Sequence, residues 1–246
     1  MVDDVTGEEI GYYNWEFMPE SNNVYVLDEN LKVTGKIEGL AEEERVYSAR
    51  FMGNIGYFVT FRQVDPLFSV DFSNPKEPKI LGELKISGFS EYLYFYGENL
   101  LLGIGYEADE NTGRTEGIKL SMFDVSDPAN VKEINKMVTE YEFSEALYEH
   151  HSVLVSVSKN LIGFTAEDYD TNKANREYVT YSYGDEKGFK ERFAVDISPT
   201  EENGWAYYNT RGTYINDTFY LLQHNGNVSA YELESGKKIE DLKIEK

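Results

Sequence analysis

Apolar and polar residues alternate along this chain in short runs, and clusters of Gly, Asn, Asp, Ser and Pro separate the runs. A period of two predicts half-buried β-strands, and the interruptions predict the turns between them. The most regular stretch, Arg45–Ile86, predicts four strands: Arg45–Met52, Ile55–Phe61, Leu67–Phe72 and Lys79–Ile86. Gly53-Asn54 turns between the first two, and Ser73-Asn74-Pro75 between the last two. No segment between turn signals keeps an i, i+3, i+4, i+7 apolar pattern over a helix's length. Glu140–His151 comes nearest, but it falls where a unit's first strand should lie and is read as strand.

The four-strand pattern returns. A third unit comprises Phe89–Tyr96, Leu100–Ile104, Ile118–Val125 and Val131–Val138. A fourth comprises Glu145–Val157, Leu161–Thr165, Glu177–Tyr183 and Phe189–Ile197, and a fifth Trp205–Ile215, Thr218–Gln223, Val228–Leu233 and Lys237–Ile244. The start of the chain holds only Ile10–Phe17, Asn23–Leu27 and Lys32–Ile37, one strand short of a unit. The turn Asp71-Phe72-Ser73-Asn74-Pro75 recurs as Asp124-Val125-Ser126-Asp127-Pro128. Asp and Ser side chains there can accept from the following amides, while Pro stops the ladder. A repeat of roughly 40 residues with loop insertions is what a four-stranded propeller blade requires. The expected architecture is an all-β propeller with about four full blades and one incomplete blade. It forms a single domain, 1–246, with units 10–40 (incomplete), 41–87, 88–139, 140–198 and 199–246. The short first unit suggests the C-terminal part of a larger propeller.

Composition narrows the partners. Aromatics make up 15% of the chain, which suits pleated, half-buried surfaces. The formal net charge of −22 repels phosphate backbones, so no nucleic-acid partner is expected. There is no cysteine, hence no disulfide. Residues 1–10 are acidic and carry no apolar core of a signal peptide. No apolar run is long enough for a membrane-spanning helix.

RVYSARFMGNIGYFVTFRQVDPLFSVDFSNPKEPKILGELKISGFS, together with LLLGIGYEADE, KLSMFDVSDP and SEALYEHH, resembles the bacterial and archaeal family of secreted proteins with a C-terminal β-propeller domain. The similarity is strong from Asn22 to Phe164, weakens from Ala166 to Asn203 and returns around Arg211–Leu233. The resemblance implies a propeller within a longer exported protein, located outside the cell or in its envelope. Its partner in folding would be the N-terminal remainder of the same polypeptide. No reaction is implied. The WD dipeptide and Gly-Gly pairs that mark WD40 and kelch propellers are absent.

Loops between second and third strands share one propeller face with the links between blades, and three of them carry candidate chemistry. Arg62-Gln63-Val64-Asp65 offers a cation, an amide and a carboxylate, so Arg62, Gln63 and Asp65 are candidate ligand contacts beside a plain structural reading. Tyr106–Gly117 adds Glu107 and Asp109, which would suit a cation or basic ligand if the loop is more than a solvated acidic surface. Asp168, Asp170 and Asn172 open like a calcium loop. The pattern then breaks, with Lys173 where Gly is needed and Val179 where a bidentate Glu is needed. Calcium is therefore the one ion considered, against a polar insertion without an ion; no other cofactor is expected.

His150 and His151, read as strand neighbours, should point to opposite faces and be unable to share an ion. Gly103-Ile104-Gly105 lacks the third glycine and the helix of a dinucleotide site, and no G-x-S-x-G occurs. The favoured expectation is a binding module for a protein, peptide or glycan. The alternative is a carboxylate-dependent hydrolase or lyase acting on polysaccharide or peptide, using Asp65, Glu107 and Asp109. A third is a structural partner of another domain in the same polypeptide.

Overall fold

A computed structural model describes residues 21–61, 65–109, 112, 114–168, 175–198, 209–224 and 226–243. Five antiparallel sheets follow one another along the chain. The first has two strands, β1 (Asn22–Leu27) and β2 (Val33–Leu40). The second has β3 (Arg45–Met52), β4 (Ile55–Phe61), β5 (Asp65–Asp71) and β6 (Lys79–Ile86). The third has β7 (Phe89–Phe95), β8 (Leu100–Ala108), β9 (Thr115–Asp124) and β10 (Lys132–Val138). In the fourth are β11 (Leu154–Ser156), β12 (Leu161–Asp168), β13 (Asn175–Gly184) and β14 (Gly188–Asp196). The fifth holds β15 (Arg211–Ile215), β16 (Thr218–Leu222), β17 (Asn227–Glu232) and β18 (Lys238–Lys243). Each sheet is a meander in chain order, as the repeated hairpins predict. The predicted strand Ile10–Phe17 and the start of Trp205–Ile215 lie outside the described residues.

Turn chemistry sets the registers. Met52 pairs with Ile55 and Ile215 with Thr218, so both hairpins have two-residue loops. Gly53 (φ +58°) and Asn216 (φ +54°) take the left-handed conformation at the first loop position, which glycine and asparagine tolerate best. The recurring Asp/Pro turn is the same object twice. Ser73 N donates to Asp71 Oδ1 at 2.7 Å, and Ser126 N to Asp124 Oδ1 at 2.9 Å. Hydrogen bonds from the Ser73 and Ser126 hydroxyls, followed by these amide bonds, hold both carboxyls below the usual range. Each turn also seats against a glycine of the preceding sheet. A Cβ on Gly82 would lie 2.8 Å from the Ala129 carbonyl, and one on Gly35 would overlap the Pro75 carbonyl. The repeat is therefore a lock between blades as well as a stop signal.

Each neighbouring pair of sheets shares its own apolar core. Val59, Leu67, Leu93 and Phe123 fill the space between the second and third sheets. Leu102, Leu120, Phe164 and Tyr181 lie between the third and fourth, and Leu161, Tyr178, Phe193 and Phe219 between the fourth and fifth. A smaller cluster with Leu40, Phe58 and Phe68 joins the first two sheets. The middle sheets are consequently buried on both faces: β9 is buried without a break from Gly117 to Phe123, and β12 from Leu161 to Glu167. The outer sheets alternate instead, leaving Tyr25, Leu27 and Val33 of the first and Ile215, Ile239 and Leu242 of the fifth exposed. Among the described residues no helix is long and apolar enough to cross a membrane.

The predicted strand Glu145–Val157 is corrected by the structure. Its first half forms two 3-10 turns, Glu145–Leu147 and His150–Ser152, and only Leu154–Ser156 pairs in the sheet. Local side chains out-compete the ladder here: Ser144 Oγ accepts from Ala146 N at 3.0 Å, and Glu149 Oε1 from His151 N at 3.1 Å. Ala146 and Leu147 then enter the core between the third and fourth sheets, where an extended chain would bury only one of two successive residues.

Candidate functional site

The first strands of successive sheets lie side by side. Ser48 Oγ of β3 donates to the Ser90 carbonyl of β7 at 2.7 Å, and the Arg50 guanidinium sits 5.1 Å from the centre of the Tyr94 ring. The starts of these strands, the links leading into them and the ends of each second strand open onto one face. Ionised groups collect there below the surface.

At the third sheet, Glu107 near the end of β8 is buried and accepts from Lys136 Nζ at 2.9 Å. Lys136 Nζ also donates to Ser87 Oγ at 3.0 Å, while the buried Lys119 donates to the Ser87 carbonyl. Burial pushes the Glu107 carboxyl upward, but hydrogen bonds from Ser87 and Lys136 and the charge of Lys119 outweigh it and hold the group low. At the fourth sheet, Arg176 Nε lies 2.8 Å from Glu167 Oε2, with both side chains buried. Glu145 joins the fourth sheet to the fifth. Its Oε1 accepts from Asn209 N and its Oε2 from Arg211 Nη1, both at 3.0 Å.

Glu91 behaves differently. It occupies a bulge between Ser90 and Tyr92 in β7, and burial pushes its carboxyl up to about 7 despite the charge of Arg45. A carboxyl whose pKa rises on folding favours the native state while protonated. Its contribution is complete below the unfolded value of 4.5 and is lost as pH rises through about 7. Glu91→Gln should therefore leave stability at pH 4 almost unchanged and raise it by about 1–2 kcal/mol at pH 8, allowing for solvent screening. Thermal melts of both proteins at the two pH values check this; an equal change at both would contradict it.

A cleft of about 380 Å³ separates the third sheet from the fourth, with Glu140, Tyr141, Asp168, Asn175, Glu177 and Glu191 on its walls. Tyr141 Oη donates to Glu177 Oε2 at 2.5 Å, and burial together with that carboxylate pushes the phenol far up. Among the described residues four carboxylates and no Lys or Arg line this cleft, a lining that attracts a cation or a basic side chain. A second cleft of about 380 Å³, between the fourth and fifth sheets, mixes Asp196 and Asp241 with Lys238 and has no such bias.

Of the residues singled out from sequence, Arg62 and Gln63 lie outside the described residues, and Asp65 opens β5 opposite Ile86. Glu107 belongs to the buried ion cluster. Asp109 Oδ1 accepts from Thr112 N and Thr112 Oγ1, both at 2.8 Å, and so holds its own turn. Asp168 ends β12 opposite Asn175 and reaches the acidic cleft; Asp170 and Asn172 lie outside the described residues. His150 and His151 do not diverge as strand neighbours would, because the 3-10 turn brings their ring centres to 4.0 Å. Glu140 and Glu191 carried no signal in the sequence, because ordinary acidic residues far apart along the chain meet only across two sheets. Lys119 left one signal, a lysine inside the strongly apolar run IKLSMF.

A family model described as a β-propeller domain matches residues 10–235. An uncharacterised protein of Archaeoglobus fulgidus is 39% identical over 227 residues, covering 92% of this chain and 32% of that protein. An uncharacterised protein of Methanocaldococcus jannaschii is 44% identical over 142 residues, covering 57% of this chain and 22% of that protein. The chain thus spans about a third or less of the length of these archaeal relatives.

Proposed function

Because the chain belongs to the β-propeller domain family, we propose that it is a binding module of a longer exported or cell-envelope protein and that it takes up a basic segment of a partner protein. The carrying observation is the cleft between the third and fourth sheets, where Glu140, Asp168, Glu177 and Glu191 meet beside Tyr141. Carboxylates on a rigid rim recognise Lys and Arg side chains, and a net charge of −22 draws such a partner in from a distance. The exposed apolar faces of the first and fifth sheets support a second element of the proposal. They are surfaces of the kind that a further blade covers, and the longer relatives have sequence to supply one. The hydrolase or lyase alternative draws no support from this geometry, since Glu107 is engaged by Lys136 and Asp109 by Thr112.

The test is a peptide array probed with the chain, containing Lys/Arg-rich, neutral and acidic sequences, alongside a glycan array. Basic peptides should bind, with affinity falling as salt rises. The exposed-residue variant Glu140→Gln/Glu191→Gln should bind them about tenfold more weakly. No preference for basic peptides, or equal binding by the variant, would overturn the assignment; selective glycan capture would replace it.

A further inference from the structure

We propose that Glu149, His150 and His151 form a site for a divalent transition-metal ion such as Zn²⁺, Ni²⁺ or Cu²⁺. Three consecutive residues seldom converge, and in a strand they would not. Here the 3-10 turn His150–Ser152 coils the backbone, so that one potential ligand atom from each of the three side chains lies within 4.8 Å of the others. Small rotations bring such atoms to the roughly 2.0–2.2 Å that zinc requires from imidazole and carboxylate. The His151 side chain is 75% exposed and free to make them. Two imidazoles and a carboxylate, with no thiolate anywhere in the chain, select borderline metals over calcium or magnesium.

The turn is a rigid platform. Ser152 is buried, and its Oγ and N donate to the Glu149 carbonyl at 2.7 and 2.9 Å. Glu149 N donates to the Glu145 carbonyl at 2.8 Å, and the Glu145 carboxylate is clamped by Asn209 N and Arg211. The backbone that carries the three ligands is therefore tied to both the fourth and the fifth sheets before any ion arrives. Glu149 Oε1 already lies 2.9 Å from His151 Nδ1. It can hold that ring as an orienting partner or turn to the ion as third ligand, and either way one histidine nitrogen stays free. The remaining coordination positions face solvent, which leaves room for water or for a donor group of a bound partner.

The experiment is calorimetric titration of the untagged chain with Zn²⁺ in excess Mg²⁺, with Cu²⁺ electron paramagnetic resonance as a second readout. One ion should bind per chain, and the Cu²⁺ spectrum should carry nitrogen hyperfine structure. His150→Gln and His151→Gln should each weaken Zn²⁺ binding by at least what a lost outer-shell partner costs, about 10–100-fold, and the double variant should abolish it. His224→Gln should change nothing. Absence of stoichiometric binding, a Cu²⁺ spectrum without nitrogen coupling, or undiminished binding by the double variant would overturn the site. The last result would place the ion on surface carboxylates.

Discussion

Glu107→Ala should lower the unfolding free energy at pH 7 by about 3 kcal/mol, because it removes the carboxylate that pairs with Lys136 and balances the charge of the buried Lys119. A buried ammonium ion without its counter-charge keeps its desolvation cost and loses the attraction that offset it. The effect has a pH signature. The Glu107 carboxyl is held below its usual range, so its contribution is present above about pH 4.5 and fades as pH falls through the folded-state value. Urea titrations should therefore show wild type and variant diverging at neutral pH and converging in acid. Glu107→Leu/Lys119→Met should recover most of the loss, since two matched apolar side chains replace two buried charges. A single-variant loss under about 1 kcal/mol, or one independent of pH, would mean that the cluster is solvated in solution.

Tyr178→Ala should be as damaging, at about 3–5 kcal/mol. Tyr178 is fully buried on β13 between the fourth and fifth sheets, with its ring centre 5.4 Å from that of Phe219. Two glycines make room for it. A Cβ on Gly163 would lie 2.9 Å from the ring, and one on Gly212 would overlap its hydroxyl end. Truncation leaves a void that neither glycine can fill, and the two sheets lose the side chain that keys them together. For a chain of this size the melting temperature should fall by on the order of 10 °C, read by calorimetry. A fall of only a degree or two would mean that the sheets close over the gap.

These two residues show how unevenly the sequence speaks. The strands of the middle sheets were plain at their starts because burial on both faces writes itself as near-continuous apolar runs, as in Leu100–Ile104 and Leu161–Thr165. The structure carries these strands on to Ala108 and Asp168, where Glu107 and Glu167 interrupt the apolar pattern. Hairpins were plain because Gly53 and Asn216 satisfy a local dihedral requirement without help from the rest of the molecule. The misreading fell on Glu145–Ser152, where Ser144 and Glu149 cap two turns and Ala146 and Leu147 are drawn into a core built by other sheets. Short-range alternation cannot register a competition decided by a neighbour that far away.

By itself the sequence determined the all-β class, the repeated meander and the turns, because each follows from contacts made within a few residues or from a single residue's allowed dihedrals. Only the tertiary structure decided that Glu107 and Lys119 are buried together, with Lys136 reaching Glu107 from the surface. The same holds for the meeting of Glu140, Glu177 and Glu191 across one cleft and for the convergence of His150 and His151. Those arrangements depend on how sheets stack and how one link coils. Electrostatic energy depends on distance and burial in three dimensions, and spacing along the chain records neither.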